Sequence, residues 1–183
     1  MVHSETQIKE SGLNWLFFDG QGGLPVIGFY EMKQDVYDTA RRLKEQDVIR
    51  KQRLDFCSKY IPVLQMIEED PSLKKACANY YSCNDGKQES LIRYLDRYFI
   101  KEAYSKDMVV DNYSELVEAE GMRDKVAAPK EEDVKSLSPE QILGCIAWHF
   151  RRDHFDNGTL LSKSAGEGYM LQMLRAYVAK ELY

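Results

Sequence analysis

The chain has 183 residues, 44% hydrophobic and 30% charged, a balance that excludes a disordered chain and supplies enough length for one sizeable core. A formal net charge of −5 and a pI of about 5.3 argue against a protein built mainly to coat nucleic acid or anionic lipid. No apolar run approaches the roughly 18 residues of a spanning helix. Met1-Val2-His3-Ser4-Glu5 carries an early acid with no apolar stretch behind it. A cytoplasmic protein with no membrane partner is therefore expected. Cys57, Cys77, Cys83 and Cys145, with no C-x-x-C pair, are expected as reduced and mostly buried thiols.

Residues 1–29 differ from the rest. Leu13-Asn14-Trp15-Leu16-Phe17-Phe18 is an apolar run, Asp19-Gly20-Gln21-Gly22-Gly23 a turn, and Leu24 to Tyr30 a second apolar run. They predict an irregular, extended or hairpin element packed on a helical body, with Pro25 confining its second strand to an edge. From Glu31 the spacing becomes helical: Met32, Val36, Ala40 and Leu43 recur at four, four and three residues. Val48, Leu54, Cys57, Tyr60, Ile61 and Leu64 continue it, and Pro62 predicts a break or kink.

Asp70-Pro71 is a good helix start, with a capping acid before a proline at the first helical position. After a turn at Cys83-Asn84-Asp85-Gly86, Leu91, Ile92, Leu95, Tyr98 and Phe99 form an apolar stripe. Tyr113, Leu116 and Val117 mark a further helix beginning near Asp111. Residues 121–137 read as an internal linker, because their apolar residues hold no sustained periodicity. Ser138-Pro139-Glu140-Gln141 is a capping box opening a helix to about Arg152, whose two terminal arginines suit the negative end of the dipole. Asp156-Asn157-Gly158 predicts a turn. Tyr169, Met170, Met173, Leu174, Tyr177 and Val178 give the last helix a broad apolar face. The fold class is mainly α: one domain, 1–183, of six or seven helices with a small extended N-terminal element.

His149-Phe150-Arg151-Arg152-Asp153-His154 is the densest cluster of functional side chains. His149 and Asp153 are four apart and share a helix face; His149 and His154 are five apart and chelate poorly on one helix. His149, Arg151, Arg152, Asp153 and His154 are the candidate ligand-binding residues, against the simpler reading of a capped helix end. On that simpler reading Phe155 is buried against Leu174 or Tyr177, and Arg151 or Arg152 meets Asp153, Asp156 or Glu167. No third ligand stands at a recognised spacing, so no metal and no cofactor is expected.

Arg41, Arg42, Lys44, Arg50, Lys51 and Arg53 set six positive charges against Glu45 and Asp47. They are the candidate nucleic-acid footprint; as a solvated helix face they could be neutralised by Asp111, Glu115, Glu118 and Glu120. Gly20-Gln21-Gly22-Gly23 lacks the helix and lysine of a phosphate loop. Ser164-Ala165-Gly166-Glu167-Gly168, read as opening the final helix, could draw an anion to free N–H groups. No nucleophile sits in a recognised catalytic setting.

Taken together, residues 138–180 combine the capped helix, Phe150-Arg151-Arg152-Asp153-His154-Phe155, Asn157-Gly158, a glycine at 166 or 168, and Met170-Leu171 with Met173-Leu174. This resembles the C-terminal signature of a family of small bacterial domains of unknown function, in which an arginine-charged-x-Phe-x-x-Gly segment precedes a leucine-rich closing helix. That family often has glutamate-arginine where this chain has Asp153-His154. The resemblance implies a bacterial or mobile-element origin and brings no activity. The functional expectation is a non-catalytic protein that binds another protein, or itself, or acts as a small regulator. The alternatives are a nucleic-acid-associated protein using residues 41–53, and an enzyme with its site around Arg151–His154.

Overall fold

The computed structural model describes residues 26–78, 94–119, 121–153, 155 and 159–182. It is mainly helical, as expected, and no strand occurs among the described residues. In chain order the helices are α1 (Val26–Glu69), α2 (Pro71–Ala78), α3 (Ile100–Ser105, preceded by a π-helical turn Leu95–Phe99), α4 (Tyr113–Ala119), α5 (Glu131–Ser136), α6 (Pro139–Asp153), α7 (Thr159–Gly166) and α8 (Tyr169–Leu182). The chain divides into two units at Val48–Ile49, within α1.

In the N-terminal unit, residues 26–29 belong to α1 rather than to an extended element; residues 1–25 and the turn at Gly20–Gly23 lie outside the described residues. Tyr37, Leu43 and Val48 are exposed. In the C-terminal unit the stripe of α1 is buried as its spacing demands, through Phe56, Cys57, Tyr60, Leu64 and Ile67. A break or kink was expected at Pro62; the helix continues through it without a break. Proline removes one i→i−4 bond, but buried Tyr60, Leu64 and Ile67 hold both sides of that gap against the core.

Phe99 is the centre of an aromatic cluster, its ring 5.3 Å from Phe56, 4.7 Å from Tyr60 and 5.2 Å from Phe150. The π-helical turn, closed by the Ile100 N–H donating to the Leu95 carbonyl, buries Leu95 and Phe99 while leaving Tyr98 exposed. Leu91 and Ile92 lie outside the described residues.

The two local helix starts behave as their residues dictate. Asp70 Oδ1 accepts from the Ser72 N–H at 2.8 Å, and Ser138 N–H donates to Gln141 Oε1 at 2.7 Å while Gln141 N–H donates to Ser138 Oγ at 3.3 Å. Between them, residues 121–137 are no exposed tether. Met122, Val126, Pro129, Val134 and Leu137 are buried, and α5 forms within the segment, with Asp133 Oδ2 accepting from the Lys130 N–H at 3.2 Å. Tight turns, including Gly121 at φ +64°, present irregularly spaced apolar residues to one core, which a periodicity search does not register.

α6 is buried almost all round, through Ile142, Leu143, Gly144, Cys145, Ile146, Ala147, His149, Phe150 and Asp153. Such a helix belongs at the centre of its unit, and α4, α7 and α8 all pack on it. Ser164 to Gly168, expected to open the last helix, instead closes α7. Gly168, at φ +81°, makes the joint to α8, and Glu68 Oε1 lies 3.1 Å from where a Cβ would stand. That carboxylate and the carbonyl end of α7 oppose an anion there.

Candidate functional site

A cleft of about 220 Å³ opens between α4 and the C-terminal end of α6, lined by Tyr113, Ser114, Val117, Glu118, Arg123, Trp148, Arg151, Arg152 and Phe155. α4 can lie this close because residue 144 of α6 is glycine: a Cβ there would stand 2.6 Å from Leu116 Cβ. Trp148, Arg151 and Arg152 are presented by the last turns of α6, and Arg123 by the turns after Gly121. Three arginines against Glu118 leave the lining with an excess of positive charge.

Arg151 is fixed on several sides. Its Nη2 donates to Asp111 Oδ1 at 2.6 Å, its guanidinium lies 5.5 Å over the Tyr104 ring, and its Nε is buried without an acceptor among the described residues. Arg123 Nη1 pairs with Glu118 Oε1 at 3.8 Å. Arg151 thus meets Asp111, a carboxylate the sequence did not single out for it; Asp156 lies outside the described residues. Phe155, expected in the core against Leu174 or Tyr177, is instead 74% exposed at the cleft. Phe155 is thus not the buried anchor of a corner.

The remaining members of the predicted cluster separate. His149 is fully buried, its Nε2–H donating to the Val126 carbonyl at 2.7 Å, with Nδ1 buried and unpartnered among the described residues. Burial, against a smaller opposing effect of the Val126 bond, pushes its pKa down to about 4, so the ring is neutral at pH 7. Asp153 is buried and accepts from the Leu161 N–H at 2.7 Å, satisfying a donor in the first turn of α7. Of the five candidates, then, Arg151 and Arg152 line the cleft, and His149 and Asp153 lie in the interior. His154 falls outside the described residues, as do Asp156, Asn157 and Gly158. Arg123, Trp148 and Tyr113 join the site with no sequence signal to announce them, since they stand far apart along the chain.

The basic run divides as well. In the N-terminal unit Arg41 pairs with Glu45 one turn on, and Arg42 and Lys44 are exposed. In the C-terminal unit Lys51 is exposed. Arg50 Nε bonds Glu181 Oε2 at 2.6 Å and its Nη2 the Glu181 carbonyl, while Arg53 Nε donates to the Asp107 carbonyl at 2.8 Å. Arg50 and Arg53 are thereby engaged with the body of the fold. Asp111 and Glu118 are engaged with Arg151 and Arg123, at the cleft.

Cys57, Cys77 and Cys145 are buried, and burial pushes Cys57 and Cys145 up to about 12. Cys83 lies outside the described residues. Among the described residues no three His, Cys, Asp or Glu side chains gather to hold a metal ion, and no helix is long and apolar enough to cross a membrane. No protein-family model, curated protein or solved structure matches this chain.

Proposed function

We propose that the protein is a non-catalytic binding module whose cleft between α4 and the end of α6 takes an acidic segment of another protein. The observation that carries this reading is the exposure of Phe155 beside Arg123, Arg151 and Arg152 in one lining. Arginine and large aromatic side chains are the residues that dominate protein interfaces, because a planar fork and a rigid ring bury much surface for little lost freedom. A volume of about 220 Å³ falls below the roughly 300 Å³ at which small-molecule pockets begin, and suits one anchored side chain.

The cleft's charges support binding over proton transfer. Arginine stays protonated at any working pH, and His149, next to Trp148 in the chain, keeps its Nε2 bonded to the backbone. The test is a displayed library of random twelve-residue peptides, selected against the full chain and against an Arg152→Glu/Phe155→Ala variant. Selected peptides are expected to be acidic around one apolar residue and to lose most of their binding to the variant. Peptides with no acidic bias, or equal binding to both proteins, would sink the proposal.

A further inference from the structure

Arg151 and Arg123 are already matched with carboxylates of the chain itself. Asp111 reaches Arg151 Nη2 at 2.6 Å although its side chain is 96% exposed, and Glu118 stands 3.8 Å from Arg123 Nη1 with its side chain also exposed. Pairs of this kind are weakly held, since solvent screens the attraction and long side chains lose freedom to keep it. A ligand that enters must still outcompete both carboxylates at once. A lone carboxylate offers the same charge and geometry as the groups it would displace, and so has little advantage. A phosphoryl monoester carries about −1.5 to −2 charge at pH 7 and three strong acceptor oxygens, enough to bridge two guanidinium groups.

Phe155 and Trp148 add apolar ring surface to the same lining, and the Ser114 and Tyr113 hydroxyls add polar atoms beside it. A group with an anionic head and an aromatic body matches both halves of this surface. We infer that the cleft takes a phosphorylated aromatic side chain of the partner segment, its phosphoryl group displacing Asp111 and Glu118 from Arg151 and Arg123 while its ring packs against Phe155 and Trp148. The inference rests on the cleft being the binding surface proposed above. Asp111 and Glu118 are then internal stand-ins that favour a doubly charged phosphoryl group over a lone carboxylate, while an acidic segment still competes by offering several carboxylates together.

The test titrates the full chain with phenyl phosphate, inorganic phosphate and benzoate, following the Trp148 indole by NMR, its signal distinguished from that of Trp15 by a Trp15→Phe variant. Phenyl phosphate is expected to bind at least tenfold more tightly than either other probe. An Asp111→Asn/Glu118→Gln variant should bind it several-fold more tightly still, because the competitors are gone, and Arg152→Glu should lose it. Amide spectra of each variant establish that it is folded. Benzoate matching phenyl phosphate, or a double variant no tighter than the parent, overturns the inference. Inorganic phosphate binding as tightly as phenyl phosphate overturns the aromatic part and assigns a free ion. In each of these cases acidic peptides from the library, still lost on Arg152→Glu/Phe155→Ala, would leave the binding surface standing; their absence overturns both.

Discussion

His149 Nε2 lies 2.7 Å from the Val126 carbonyl oxygen, a bond across 23 residues that fastens α6 to the turns carrying Arg123. Protonation would leave the Nε2–H donor in place but would bury a charge and a second N–H at Nδ1, which has no acceptor among the described residues.

Acid should therefore loosen this contact, and the sign follows from the shift. Burial, partly offset by the backbone bond, depresses the folded pKa to about 4, below the ordinary value near 6.5, so the unfolded chain binds more protons in between. The stability is fully present above about pH 6.5 and is lost as pH falls towards about 4, by roughly 3 kcal/mol in all. Urea unfolding at pH 7.5, 5.5 and 4.5 measures this, with His149→Gln as the comparison that removes the imidazole and leaves the other groups titrating. An unchanged pH slope in that variant would mean that His149 does not carry the effect.

Gly144→Ala sets two effects against each other. Alanine favours a helix interior by about 0.5–1 kcal/mol. Its Cβ, however, would lie 2.6 Å from Leu116 Cβ, an atom fixed to the backbone of α4, so α4 must move away. Overpacking of this kind costs about 1–3 kcal/mol, and it wins. Thermal unfolding should show a net loss, and peptide binding should weaken with it, because α4 supplies Tyr113, Ser114, Val117 and Glu118 to the cleft. A more stable variant with unchanged binding would contradict the close approach of the two helices.

Phe155 and Phe150 are five residues apart with opposite surroundings. Phe150 is 3% exposed and packs tilted against Phe99 in the aromatic cluster, so Phe150→Ala should cost about 3–5 kcal/mol. Phe155→Ala, at 74% exposure, should change stability by less than about 0.5 kcal/mol while removing peptide binding. Denaturant midpoints compare the two directly. A loss above about 2 kcal/mol for Phe155→Ala would return that ring to the core.

Within the basic run, the charges differ in what they hold. Reversing Arg41, Arg42 and Lys51 to glutamate together should alter stability by no more than about 1 kcal/mol, since exposed pairs such as Arg41–Glu45 contribute little. Arg50→Glu should cost more than that triple change, because it removes the bonds to α8 at Glu181 and sets two carboxylates together. Urea midpoints rank the two variants; equal effects would show that the Arg50–Glu181 contact holds nothing. A nucleic-acid complex of the parent that weakens steeply with salt and vanishes on the triple change would put that function ahead of the one proposed.

The helices were legible where their instructions are local. Asp70-Pro71 and Ser138-Pro139-Glu140-Gln141 each place a cap within three residues of the N–H it accepts from, and the stripe of α8 repeats at the spacing of its own turns. Arg151 and Arg152 were legible as a charged helix end. Their surroundings were not. Residues 121–137 read as a linker because their apolar residues hold no sustained periodicity, yet Met122 and Val126 meet the core through turns and Val134 through the short helix α5. Phe155 reads as a core residue on composition alone, and only its position beyond the end of α6 turns it outward. The cleft itself joins Tyr113, Arg123 and Trp148, residues ten to thirty-five positions apart. Hydrogen bonds within one turn are written in neighbouring residues, whereas the cleft exists only once α4 has closed on Gly144, and that contact is made by packing between helices.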